Sequence, residues 1–431
     1  MLKKTAHVLI AFGTALCLTV LPAAAQPLPM AAPESVGFDT ARLKRLDDYM
    51  AKVVADGRVA GMSTMLARHG KIVHSRIYGQ SDLSRQTPMT ADSIFRIYSM
   101  TKPITGVAMM ILFEEGKWQM DDPVTKFVPE FKNMRVMTGT DEKGNMITVP
   151  MKRPPTMREI MSHTAGFGYG LENIHPVDKM FQAKGVLTSA TNQQMIDSLA
   201  AIPLKFQPGT AWAYSISVDI QGAIVERLSG QTLGAFFEQR IFRPLKMTDT
   251  SFRLSADRQA RLAEVYQGDP ANGKLMVAGG GVIRDILRTD LRENGGGGLF
   301  STMSDYARFA QMLLNKGELD GARLLSPAAV ELIATNVVPQ EVLKSFQGPQ
   351  GFSEFVGFGM DVRIVLDPRA VGRMDGKNSY DWGGAAATWF WVDPTNDLIF
   401  VGMVQRLGGG VEDLRPMARV LTYQALVNPE K

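Results

Sequence analysis

The chain has 431 residues, of which 45% are apolar and 21% charged, and its formal net charge is +4. That length supports one large domain or two with a sizeable core, and the composition is that of an ordinary globular protein. No concentrated basic stripe is present, which argues against a nucleic-acid partner, and a pI near 9.0 alone points to no particular acidic one.

The first 25 residues begin with Lys3 and Lys4, continue as an apolar run and end in Ala23, Ala24 and Ala25 before Gln26. This is the layout of a Sec-type signal peptide cleaved after Ala25, with a run too short for a membrane anchor. The expectation is export, to the periplasm or beyond, and no stable membrane association of the mature chain. Cys17, the only cysteine, lies in this segment without the small residue before it that a lipid-attachment site requires. The mature chain is therefore expected to depend on no disulfide. Loss of Lys3 and Lys4 lowers the net charge to +2.

Residues 39–57, DTARLKRLDDYMAKVVADG, predict an amphipathic helix. Leu43, Leu46, Met50 and Val53 share a face, with Asp39 as N-cap and Gly57 at the C-terminal end. Two β-prone runs then flank His69-Gly70, which predicts a tight hairpin. The middle of the chain is rich in helical stretches closed by glycine or proline, such as TKPITGVAMMILFEEG and VDIQGAIVERLSG. A second hairpin is predicted where ATWFWV and LIFVGMVQ flank DPTND. A last helix is predicted over 415–427, with Pro416 in its first turn and Val420, Leu421 and Leu426 as apolar contacts.

The resulting fold class is α/β of the α+β type. An antiparallel sheet flanked by helices is built from both chain ends (26–98 and 330–431), with a mostly helical domain (99–329) inserted between them. The helix following Ser99 lies at the interface, and clefts between two such parts favour sites. The glycine clusters at 279–281 and 295–298 lack the strand, turn, helix and lysine of a phosphate loop.

The chemistry is narrowed by what is missing. There is no G-x-S-x-G elbow and no H-E-x-x-H. Only five histidines occur, none in a pattern that supports a Ser-His-Asp mechanism or a zinc site. No metal or cofactor is expected.

Residues 98–103 read YSMTKP. Ser99 and Lys102 are three apart and can face each other. The apolar run that follows predicts a buried helix starting at Ser99, with Ser99 as N-cap and Pro103 in the first turn. Burial and the helix N-terminus both disfavour a charged lysine, so a neutral Lys102 could take the Ser99 proton. The bland reading, a solvated helix surface, is as good on this motif alone.

Tyr214 ends a loop that runs into a helix, where a tyrosine beside the lysine could shuttle a proton; alone, a packing tyrosine is the better reading. Gly383 and Gly384 open an apolar strand, where glycine lets backbone approach a ligand or forms a simple β-bulge. An N–H presented there could join that of Ser99 as an oxyanion hole.

Together, Ser99-Met100-Thr101-Lys102, Tyr214-Ser215-Ile216 and Trp382-Gly383-Gly384 resemble the S-x-x-K, Y-x-N and K-T-G motifs of the serine β-lactamase and penicillin-binding-protein superfamily, in its class C-like branch. TMREIMSHTAGFGYG, PGTAWAYS and GGGGLFSTMSDYARFAQMLLNKGELDGARLLSP resemble the branch as well. The resemblance implies a β-lactamase/transpeptidase-like fold. It also implies an acyl-enzyme on Ser99, Lys102 and Tyr214 as proton-transfer groups, and the N–H groups of Ser99 and Ala385 as the oxyanion hole. Two departures matter. Ile216 stands where the family has asparagine, and Trp382 and Gly383 replace the cation and hydroxyl of the third motif. W-G-G resembles the family VIII carboxylesterases and makes the site more apolar.

The implied function is a serine carboxylesterase acting on a small uncharged acyl ester, with β-lactam hydrolysis secondary. Trp382, Gly383, Gly384 and Tyr169 are implied to bind substrate. The alternatives are a β-lactamase, D,D-peptidase or D-aminopeptidase acting on amides, an acyltransferase, or a non-catalytic penicillin sensor or cell-wall binding module.

Overall fold

The computed structural model describes residues 28–171, 174–279, 292–345 and 353–428. The expected signal peptide with Cys17, and Gly280 and Gly281 of the first glycine cluster, lie outside the described residues.

Eight strands form one antiparallel sheet. Three come from the start of the chain: β1 (Gly61–Arg68), β2 (Lys71–Asp82) and β3 (Thr87–Pro88). Five come from its end: β4 (Val356–Phe358), β5 (Arg363–Val365), β6 (Tyr380–Gly383), β7 (Trp389–Asp393) and β8 (Leu398–Val404). Their order is β4-β5-β6-β7-β8-β1-β2-β3. The two ends meet at β1 and β8, where Met62 pairs with Val404 and Arg68 with Leu398. Both predicted hairpins are present, and His69 and Gly70 carry the positive φ that a tight turn needs.

The central strands are buried on both faces, so they read as apolar runs and alternation shows only in which core each residue enters. Along β8, Leu398, Phe400 and Val404 enter one core, while Ile399, Val401 and Met403 enter the other. The first core is covered by α1 (Thr40–Ala55) and a C-terminal helix; the second by the helical part of the chain. Gly402 is required because the Trp389 indole occupies the space of its missing side chain.

α1 forms as its sequence predicts. The Asp39 carboxylate accepts the Arg42 N–H at 2.8 Å, the four predicted residues are buried, and Gly57 follows the helix with φ 69°. α2 (Thr101–Glu114) is buried from Thr101 through Leu112 and packs against α3 (Ser217–Ser229). α4 (Met303–Leu314) lies on β7 and β8. The last helix, α5, spans Leu414–Tyr423, shorter than expected. It buries Leu414, Ala418, Thr422 and Tyr423 and leaves Val420 exposed, because the face toward the sheet is set by Trp391 and Phe400.

Asp305, in the first turn of α4, is buried while accepting hydrogen bonds from the Thr250 hydroxyl and the Asp249 N–H, both at 2.8 Å. Burial outweighs these bonds and pushes its carboxyl from the usual 3.8 up to about 6. The folded state therefore binds this proton more tightly than the unfolded chain, and that stabilisation is present at acid pH and lost as pH rises through about 6. Asp305→Asn removes the dependence. Melting temperatures of the two proteins should show the wild type gaining on the variant between neutral pH and about 4; a constant difference would refute it.

Candidate active site

Ser99 lies in a short 3-10 turn, Tyr98–Met100, directly before α2. The residue before it, Tyr98, has φ 43°, a left-handed conformation that is unfavourable for a tyrosine and often marks a functional turn. Ser99 does not cap the helix as expected. α2 begins at Thr101 with Met100 as its cap, and no side-chain cap bond is made. The Ser99 hydroxyl is committed elsewhere: Tyr214 Oη donates to Ser99 Oγ at 2.6 Å and Lys102 Nζ donates to it at 3.3 Å. The structure thus brings Ser99, Lys102 and Tyr214 together from positions 115 residues apart at the extremes in the chain, as the first two motifs predicted, with Ser99 and Tyr214 half-buried and Lys102 fully buried.

Lys102 is held by more than the serine. It donates to the Gly296 carbonyl at 2.6 Å and to Tyr169 Oη at 3.0 Å. Its ammonium also sits over the rings of Tyr169 and Tyr214, 5.0 and 4.6 Å from their centroids. Burial alone would lower its pKa, as the sequence suggested. The phenols of Tyr169 and Tyr214 and the carboxylate of Asp219 outweigh burial, and the proton is held more tightly than on an ordinary lysine. Against the neutral lysine expected from burial, these neighbours favour the charged form.

Sequence reasoning missed what surrounds this lysine. Asp219, in the first turn of α3, pairs with Arg292 at 2.6 Å, and both are buried. The second glycine cluster passes between Lys102 and this pair. A side chain at Gly296 would collide with the Asp219 carboxylate and crowd the Tyr169 hydroxyl. Nearby, Thr105 donates to the Gly295 carbonyl at 2.7 Å. This cluster is a close-packed floor under Lys102, a role its composition alone does not show.

Tyr169 was implied to bind substrate. The structure places it behind Lys102, 8% exposed, with Asp178 fixing its backbone N–H at 2.9 Å. Burial pushes its hydroxyl pKa up despite the opposing lysine. His163 was also overlooked. It is fully buried at φ 60°, accepts the Ser215 N–H on Nδ1 at 3.3 Å, and lays its ring 5.1 Å from that of Tyr214. Burial and the nearby Lys102 keep it neutral, well below its ordinary pKa. Its SHTAG context was the available signal.

The third motif closes β6; it does not open a strand, and β6 is internal to the sheet, not an edge. Trp382 is 7% exposed, with its ring 5.7 Å from Tyr214 and 5.4 Å from Phe358. The space left by Gly383 is taken by the Arg415 guanidinium, and that left by Gly384 by the Ile97 carbonyl and Thr388. Both glycines thus admit the protein's own groups. Their tight fit brings the turn after β6 against the segment leading to Ser99, and Thr388 Oγ1 donates to the Ile97 carbonyl at 3.4 Å. Ala385 sits exposed in that turn, and among the described residues its N–H donates to no backbone carbonyl. Ile216, where asparagine was expected, is buried in the helical core and offers no polar group.

A hydroxyl contacted by a phenol and an ammonium is equipped for acyl transfer. Among the described residues no group of three metal-ligating side chains occurs, and no helix is long and apolar enough to cross a membrane.

Comparison with known proteins agrees. Residues 46–424 match the family described as Beta-lactamase. Protein Rv1367c of Mycobacterium tuberculosis is 34% identical over 364 residues, covering 81% of this chain and 86% of its own. Esterase EstB of Burkholderia gladioli is 30% identical over 378 residues, covering 84% and 90%. The structure of simvastatin synthase (LovD) from Aspergillus terreus superposes with a TM-score of 0.76 at 25% identity, over 89% of this chain and 97% of that one. The large antiparallel sheet, its helical cover and these matches place the chain in the beta-lactamase family, within the superfamily of serine β-lactamases and penicillin-binding proteins, beside relatives that are esterases and acyltransferases.

Proposed function

We propose that this protein is an exported serine carboxylesterase whose acyl-enzyme forms on Ser99. The observation that carries the reading is the Ser99 hydroxyl held 2.6 Å from Tyr214 Oη, beside a buried charged lysine and a tryptophan wall. Ser99 Oγ attacks the ester carbonyl carbon. Tyr214, having given its own phenolic proton to solvent beside the Lys102 ammonium, takes the Ser99 proton as a phenolate. The N–H groups of Ser99 and Ala385 hold the oxyanion. Collapse breaks the carbonyl carbon–alcohol oxygen bond, and Tyr214 returns the proton to the leaving alcohol. Water then repeats the sequence and releases the acid.

Trp382 supports esters over β-lactams and peptides. Its indole presents no cation to a substrate carboxylate, and Ile216 provides no amide for a peptide-like bond. Similarity to simvastatin synthase favours a second reading, transfer of the same acyl group to an alcohol. Purified protein should hydrolyse a short-chain p-nitrophenyl ester and leave a chromogenic cephalosporin largely intact. Faster turnover of the cephalosporin would replace the esterase reading with a β-lactamase. An added alcohol that diverts the acyl group faster than water would identify the transferase.

A further inference from the structure

Away from Ser99, a cavity of about 360 Å³ opens between α5 and the β4–β7 side of the sheet. Four arginines line it: Arg363, Arg373, Arg415 and Arg419. Two carboxylates face them. Arg363 pairs with Asp381 at 2.7 Å. Arg419 spans Asp375 at 2.9 Å and Asp381 at 2.5 Å, and Arg373 contacts the same two at 2.5 and 3.3 Å. Three arginines thus share two aspartates, and among the described residues the cluster holds four positive charges against two negative ones.

Arg415 is the unbalanced one. Its Nη2 donates to the carbonyls of Gly384 and Thr388 at 3.1 and 2.9 Å, and among the described residues no carboxylate pairs with it. Burial, and then Arg363, push its pKa down to about 10 against the opposing pull of Asp381, which the other arginines already share. Charges withdrawn from water are normally paired. The mouth of the cavity carries the exposed residues Gly372, Met374 and Val420, so a small solute can enter.

We propose that this cavity binds a small dianionic oxyanion of the phosphate class, with Arg415 as its main contact. The guanidinium that meets the anion also grips Gly384 and Thr388, on either side of Ala385, so occupancy is felt at the turn that carries the Ala385 N–H. That coupling rests on the esterase reading; the binding does not.

Trp389 lines the cavity and, unlike Trp382, whose ring faces Tyr214, reports on it directly. The full chain is titrated with inorganic phosphate at mildly alkaline pH, against sodium chloride of equal ionic strength, with tryptophan fluorescence as readout. The expected result is a saturable change with phosphate and none with chloride. Arg415→Gln should weaken it on the order of tenfold or more, through loss of a charge-assisted contact. Val420→Glu places a carboxylate at an exposed position of the mouth and should abolish the response at an unchanged melting temperature. A chloride-like response in the wild type would overturn the proposal, as would saturation of equal strength in the Val420→Glu protein. Because fluorescence reads binding without turnover, failure of the esterase reading leaves this test intact.

Discussion

Ser99→Ala is expected to abolish ester turnover while leaving the melting temperature unchanged. The first half follows from position: among the described residues only the Ser99 hydroxyl is contacted by both Lys102 and Tyr214. Without a nucleophile the remaining donors still polarise a carbonyl, and such residual sites retain about 10³–10⁴-fold catalysis over water against the 10⁶-fold and more of complete ones. The second half follows because this hydroxyl caps no helix and is half-buried in a turn held by its backbone. Met100 N–H donates to the Ile97 carbonyl, and Ile97 N–H to that of Leu299. The check is kinetics together with a serine-directed fluorophosphonate and intact mass. The wild type should gain one adduct and the variant none. Near-normal hydrolysis by a folded, unlabelled variant would remove Ser99 from the reaction.

Lys102→Met and Tyr214→Phe should each lower kcat/KM by orders of magnitude, and the double variant should be little worse than either single one. The two side chains form one device: the ammonium lies 4.6 Å from the Tyr214 ring, and both donate to Ser99 Oγ. Members of such a unit fail together. Lys102→Met must also lose stability, since the Gly296 carbonyl and the Tyr169 hydroxyl would lose their buried donor. Tyr214→Phe keeps its ring packing with His163 and Trp382 and should fold normally, so it separates chemistry from folding. Single losses that multiply in the double variant would show that the residues act independently and would refute the shared proton path.

How much of this was legible in the sequence depends on the range of each interaction. Asp39 and Gly57 mark the ends of α1 because capping is local. The His69-Gly70 turn is local for the same reason. The motifs of Ser99, Lys102 and Tyr214 were legible because each is short and their order along the chain is a second constraint. The charge of Lys102 was not. It depends on Tyr169, Asp219 and the Gly296 carbonyl, which only the folded chain brings to it. The same holds for Gly383, whose apparent opening to a ligand is filled by an arginine more than thirty positions later. Ser99 as a helix cap was a local inference overridden by tertiary contacts, because its hydroxyl met a phenol before it could meet a backbone N–H.

The pairing of β1 with β8 has a consequence for the life of the molecule before it is finished. Met62 must wait for Val404, and Gln405 must reach back to bracket Arg96, with its amide accepting the Arg96 N–H and donating to the Arg96 carbonyl. The turn bearing Ser99 and the turn bearing Ala385 are thus drawn together only once the final strands have left the ribosome. Contacts this distant in sequence close late and slowly. On the esterase reading, a nascent chain therefore lacks its assembled site, whatever its helical middle has already formed, until those last strands have paired.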